Sequence, residues 1–154
     1  MFRVLDADSP ISKEDFLQFE EILGKELPKT MLDFYLQHNG GQPQVRGVHD
    51  EHHLFPFNSF DSLDEMKKSL SWFDDEAVPE GFKAADLLHF AYDPGSGNYA
   101  LSLREEDYGK VYFYVLEEKA ELYGQWPSFE DFLNSFVEEW DYKGEGMRKY
   151  QELS

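Results

Sequence analysis

Three features of the amino-acid sequence predict an α+β fold. Two stretches near the start and one near the end place apolar residues at helical spacing behind capping residues. The middle of the chain alternates and is rich in Val, Tyr and Phe, the side chains that suit a pleated surface. The turns between those middle segments are too short for crossover helices, so the strands they join must be antiparallel.

The first helix opens at Ser12, a natural N-cap, and Asp15 is spaced to complete a capping box. Ile11, just before the cap, is placed to pack on Phe16. Phe16, Phe19, Ile22 and Leu23 recur at helical spacing, with Leu17 beside them, and Gly24 supplies the stop. A second helix starts near Pro28, which a first turn tolerates, and carries the stripe Met31, Leu32, Tyr35 and Leu36. Asn39-Gly40-Gly41 reads as its stop, because these residues accept left-handed backbone.

Gln42–Val48 is polar and turn-rich, and Leu54–Phe57 is a short apolar segment. Ser62–Trp72 reads as a third helix with Leu63, Met66 and Leu70 on one side. Leu87–Ala91, Tyr99–Leu103 and Lys110–Leu116 read as strands, joined by turns at Asp93–Asn98 and Arg104–Gly109. The last helix begins at Ser128, has Asp131 in its positive first turn, and buries Phe129, Phe132, Leu133, Phe136 and Val137. Periodicity is lost after Trp140. A single domain spanning 1–154 is therefore expected, with a core over about 12–140 and a partly ordered tail at 141–154.

The 154 residues include 32 acidic and 14 basic side chains, a formal net charge of −18. Acidic chains that stay unfolded are poor in aromatics, whereas 17% of this chain is Phe, Tyr or Trp, so it folds. Residues 1–77 and 78–154 each hold 16 acidic and seven basic residues, so the charge belongs to the whole body and not to an appendage. A polyanion repels phosphates, which excludes direct binding of a nucleic-acid backbone and points to a basic partner or to solubility. The absence of cysteine excludes disulfide scaffolds and thiol catalysis. Met1–Asp6 lacks the features of a secretory signal, and the longest apolar run, Val111–Leu116, cannot span a membrane. A soluble, cytoplasmic protein is expected.

Several clusters invite chemistry and fit it poorly. His49-Asp50-Glu51-His52-His53 holds zinc-compatible side chains, but the spacing matches no helical metalloprotease motif. Gly47 and Pro56 around it predict a solvated loop, and a zinc site at His49, His52 and His53 is the weaker alternative. Gly95-Ser96-Gly97-Asn98-Tyr99-Ala100 has the glycines of a dinucleotide fingerprint but leads into a strand, where the pyrophosphate needs a helix. Ser96 lacks the glycine two residues before it that a nucleophile elbow requires. No cofactor and no catalytic residue is assigned.

Taken together, Leu27-Pro28, Asn39-Gly40-Gly41, Leu88–Asp93 leading to Gly97-Asn98-Tyr99, Gly109–Tyr112 and Ser128–Leu133 resemble, in order and spacing, the SUKH superfamily of Smi/Knr-type domains. The resemblance implies helices packed on a mostly antiparallel sheet, with Leu27, Pro28, Asn39, Gly40, Gly41, Asp93, Gly97 and Asn98 as fold determinants. It also implies a non-enzymatic protein. Bacterial members are typically immunity proteins that bind and block a toxin domain, often a nuclease, of polymorphic-toxin or contact-dependent-inhibition systems. Fungal relatives are regulators of cell-wall synthesis that act through protein partners, which is the alternative reading.

On the immunity reading, the acidic runs Asp74-Asp75-Glu76, Glu105-Glu106-Asp107 and Glu117-Glu118 would imitate phosphates toward a basic toxin face. A further run, Glu138-Glu139-Asp141, lies near the end. Trp72, Tyr108 and Tyr123 sit beside these runs and are side chains that anchor interfaces. A monomer or weak homodimer is expected.

Overall fold

The computed structural model describes residues 3–137, so the expected tail and the run at 138–141 lie outside the described residues. The helices are α1 (Lys13–Leu23), α2 (Lys29–Gln37), α3 (Leu63–Ser69) and α4 (Phe129–Leu133). The strands are β1 (Val4–Leu5), β2 (Gln42–Pro43), β3 (Gly47–His49), β4 (Leu54–Pro56) and β5 (Ser59–Phe60), then β6 (Leu87–Tyr92), β7 (Gly97–Ser102), β8 (Val111–Leu116), β9 (Ala120–Trp126) and β10 (Phe136–Val137). They form three antiparallel sheets, ordered β1-β2, β10-β3-β4 and β5-β6-β7-β8-β9. The fold class is α+β.

Local chemistry accounts for the helix starts. Ser12 and Asp15 form a complete capping box, as do Ser62 and Glu65, and Ser128 accepts the amide of Asp131. Alternation along the long strands then gives the large sheet two apolar faces. Leu88, Phe90, Tyr99, Leu101, Val111 and Phe113 join the main core, with Phe16 and Phe19 of α1, Met31 and Tyr35 of α2, and Phe129 and Phe132 of α4. The small sheet caps this side: the Phe55 ring lies 5.1 Å from that of Phe113 and meets Trp126 edge-on at 6.1 Å. On the opposite face Leu87, Ala100, Tyr112 and Tyr114 form a second cluster under Phe73, Val78 and Phe82 of the 70–86 loop.

The structure corrects five expectations. The apolar stripe of α1 is only partly buried: Phe16 and Phe19 are, whereas Leu17 and Ile22 face outward, because no described element packs over that flank. Phe34, which the α2 stripe omits, is buried, and Leu70 closes α3 half exposed. The last helix stops at Leu133. Phe136 and Val137 pair with Val48 and Gly47 instead, and the free edge of β3 satisfies their backbone groups there. Finally, Ala120–Trp126 is a seven-residue edge strand that the sequence did not suggest. Gly124 interrupts its pattern because a Cβ there would come within 2.6 Å of the Phe55 ring.

Asn39-Gly40-Gly41 does more than stop a helix. α2 ends on His38 in extended backbone, and the buried Asn39 side chain then donates to the Ser9 carbonyl at 2.8 Å and accepts the Leu63 amide at 2.9 Å. It ties the N-terminal segment to the start of α3. Gly41 exchanges backbone hydrogen bonds with Phe60, and a Cβ at its position would meet the Leu5 carbonyl oxygen at 2.5 Å. The Asp93 carboxylate likewise organises the β6–β7 turn, accepting the amides of Gly95 at 2.8 Å and Gly97 at 2.7 Å. Pro28 supplies the residue before the first turn of α2, Leu27 is buried, and Asn98 lies in β7 between Tyr92 of β6 and Tyr114 of β8.

Candidate functional site

The hairpin connections send the acidic runs to opposite ends of the large sheet. The 104–109 turn joins β7 to β8 at one end, and the 117–119 turn joins β8 to β9 at the other, beside the 93–97 turn through the Leu116 amide and Ser96 carbonyl. A six-residue strand separates them, roughly 20 Å.

Within the 104–109 turn the three acidic residues divide by role. Glu105 and Glu106 are exposed. Asp107 is enclosed by donors: Ser102 Oγ at 2.5 Å, Tyr112 Oη at 2.5 Å, and Arg104 through Nε at 3.1 Å and Nη2 at 2.6 Å. Burial opposes its charge, but these donated hydrogen bonds outweigh that and hold its carboxyl far below the usual range. Tyr112, burial first and Asp107 second, is pushed up to about 12. Arg104 also donates to the Gly81 carbonyl at 3.0 Å and lies 3.9 Å over the Phe82 ring, tying the turn to the 70–86 loop. Tyr108, half exposed, donates through its hydroxyl to the Glu26 carbonyl and so links this turn to the α1–α2 connection. Asp107 and Tyr108 thus hold the structure, whatever else they meet.

The 70–86 loop is also shaped by its own carboxylates. Asp74 Oδ1 accepts the amides of Glu76 and Ala77 at 3.0 Å, and Asp75 Oδ1 accepts that of Ala84 at 2.8 Å. Glu76 and Trp72 are exposed, Trp72 at 70%. Beneath the loop, Phe73 stacks flat on His89, with centroids 3.7 Å apart. His89 Nε2 is 2.6 Å from the Tyr114 hydroxyl, and burial pushes its pKa down to about 3, so the ring is neutral at physiological pH.

Between this loop, the end of α1 and the end of α3 lies a cleft of about 560 Å³. Phe73, Leu87, His89 and Leu103 line it, with Ile22 and Leu70 on its border and Asp74 and Asp75 as its charged side chains. Ile22 is 63% exposed and Leu70 39%. Sequence reasoning placed both on apolar helix faces, since periodicity identifies an apolar stripe but not what covers it. At the far end, Glu117 and Glu118 are exposed and share a concavity with Lys119, Glu121 and Tyr123. Lys119 pairs with Glu121 at 3.8 Å.

The histidine cluster forms the β3–β4 turn. Asp50 is buried and organises it, accepting the amides of His52 at 2.9 Å and His53 at 2.8 Å through Oδ1, while the His49 carbonyl accepts Trp126 Nε1 at 2.7 Å. His52 and His53 point outward, with rings 6.2 Å apart. Among the described residues no three His, Asp or Glu side chains converge as metal ligands. Gly95–Ala100 runs from a turn into β7, so the glycines there form a hairpin and not a phosphate cradle. No helix among the described residues is long and apolar enough to cross a membrane.

Residues 10–135 match the model of the SMI1 / KNR4 family (SUKH-1). No curated protein matches the chain.

Proposed function

The chain belongs to the SMI1 / KNR4 family (SUKH-1), and from that premise we propose that it is a non-enzymatic immunity protein. In this reading it acts in the cytoplasm of a bacterium as one domain. It binds and neutralises a basic toxin domain, such as a nuclease, from a polymorphic-toxin or contact-dependent-inhibition system. The observation that carries the reading is the placement of charge on a family fold: Glu105, Glu106, Glu117 and Glu118 stand exposed at the two ends of the sheet and Glu76 on the loop over its face, on a chain of net charge −18. Such a surface attracts a basic protein and accelerates its docking.

The test is co-expression with the toxin domain encoded beside this gene. Protection of the cells, with an association rate that falls steeply between low and high salt, supports the reading. Lack of protection, with recovery of many unrelated cellular proteins in a pull-down, would support a regulatory module of the fungal kind instead.

A further inference from the structure

We propose that the cleft between α1, α3 and the 70–86 loop is the anchoring surface for the protein partner. Its occupant is a basic segment that presents an aliphatic or aromatic side chain. The inference rests on the immunity reading and assigns unequal roles to the two acidic ends of the sheet.

Single exposed apolar side chains are ordinary on a protein surface; several bordering one concavity are not. Ile22 and Leu70 are exposed and both line this cleft, beside Leu23 and Phe73. The volume of about 560 Å³ is in the usual range for binding clefts, ~300–1,000 Å³. The wall is also firm. Phe73 is stacked on His89, His89 is hydrogen-bonded to Tyr114, and the loop is fastened through Asp75 to Ala84 and through Gly81 to Arg104. A preformed apolar cleft loses little entropy when it is filled.

Charge selects the occupant. The charged residues lining the cleft, Asp74 and Asp75, are both acidic, which favours Lys or Arg next to the inserted apolar group. A second copy of this chain would bring another −18 to the same surface. Residues 138–154 hold five acidic and three basic side chains, so that segment is acidic as a whole, and its Arg148-Lys149 pair makes it the occupant that the test must separate from the partner. The 117–119 end differs. Its concavity is lined mainly by Glu117, Glu118, Lys119 and Glu121, with little apolar wall beyond Val115 and Tyr123. Exposed charges of this kind steer encounter, whereas filled apolar pockets set residence time.

The experiment measures the kinetics of the full chain binding the toxin domain encoded beside its gene, together with cell protection. Ile22→Arg and Leu70→Ala should each raise the dissociation rate about 30-fold with a nearly unchanged association rate. Glu117→Lys/Glu118→Lys should slow association about 10-fold at low salt and leave dissociation alone. Unchanged thermal midpoints show that the variants are folded, and Ile22→Ala serves if Ile22→Arg is not. If the wild type binds and protects but the cleft variants dissociate at its rate, the anchor assignment is wrong while the immunity reading stands. Self-association of the wild type that the cleft variants abolish would assign the cleft to a second copy. Tighter binding after deletion of 138–154 would assign it to that segment. A wild type that neither binds nor protects removes the immunity reading, and the anchor with it.

Discussion

Arg104 closes on Asp107 as a two-point fork, Nη2 at 2.6 Å from Oδ2 and Nε at 3.1 Å from Oδ1, within a single turn between two strands. The same carboxylate accepts the hydroxyls of Ser102 and Tyr112. Planar guanidinium–carboxylate pairs of this kind are the stronger sort of ion pair, and this one is well shielded, the Asp107 side chain being 13% exposed. One carboxylate thus ties the turn to β7 and β8, and through Arg104 it supports the link to the 70–86 loop.

Asp107→Asn should therefore destabilise the protein by about 2 kcal/mol at pH 7, because three donors lose their charged acceptor. A carboxyl held below its unfolded value stabilises above that value, and the contribution is lost as pH falls toward the folded one. The gap between wild type and variant should close below about pH 4, which chemical denaturation across pH measures.

Asp61 has the opposite linkage. Burial first, and Glu65 second, push its carboxyl up to about 7. The folded state then holds its proton more tightly than the unfolded chain, so this group erodes stability as pH rises from about 4 to 7. Asp61→Asn should be more stable than wild type at pH 8, by more than about 1 kcal/mol, and nearly equal to it at pH 4. A constant difference across that range would contradict the assignment.

His89 opposes Asp61 over part of the same window. Its depressed pKa means that the unfolded chain takes up a proton below about pH 6.5 while the folded one stays neutral. Stability from this group is complete above that pH and declines below it. His89→Gln should cost about 1–3 kcal/mol at pH 7.5, through the lost Phe73 stack and the disturbed Tyr114 contact. The cost should shrink at pH 5. Because the two slopes partly cancel in the wild type, only the differences between variants report them.

Gly41→Ala should cost about 2–4 kcal/mol, since φ is +108° and the new methyl would meet Val4 and the Leu5 carbonyl. Thermal unfolding of the variant checks this.

The net charge leads to a salt prediction. Apart from Arg104–Asp107, each ion pair found among the described residues has at least one side chain more than half exposed, as in Lys119–Glu121, and offsets little of the repulsion. The thermal midpoint should rise when moderate salt is added, as screening relieves self-repulsion. A fall would mean that ion pairing outweighs repulsion.

Local chemistry was legible in the sequence wherever a few adjacent residues carry the signal. Ser12 with Asp15, Ser62 and Ser128 mark helix starts, and the alternation of Leu87–Ala91, Tyr99–Leu103 and Lys110–Leu116 marks strands with short turns. The α+β class follows, and so does a family resemblance resting on the order of those pieces. The acidic runs and exposed Trp72 were readable for the same reason.

Everything that depends on a distant neighbour was decided by the tertiary structure. Gly124 weakens the β9 pattern because Phe55 occupies the space above it, and Phe136 pairs as a strand because β3 offers an edge. Ile22 and Leu70 match the apolar stripes of their helices, yet no described element covers them, and the cleft they border forms only when α1, α3 and the 70–86 loop meet. Asp107 and Glu105 look alike in one acidic run, but only Asp107 turns toward Arg104, Ser102 and Tyr112. Sequence period reports which side chains share a face; burial and pairing depend on what the rest of the chain sets against that face.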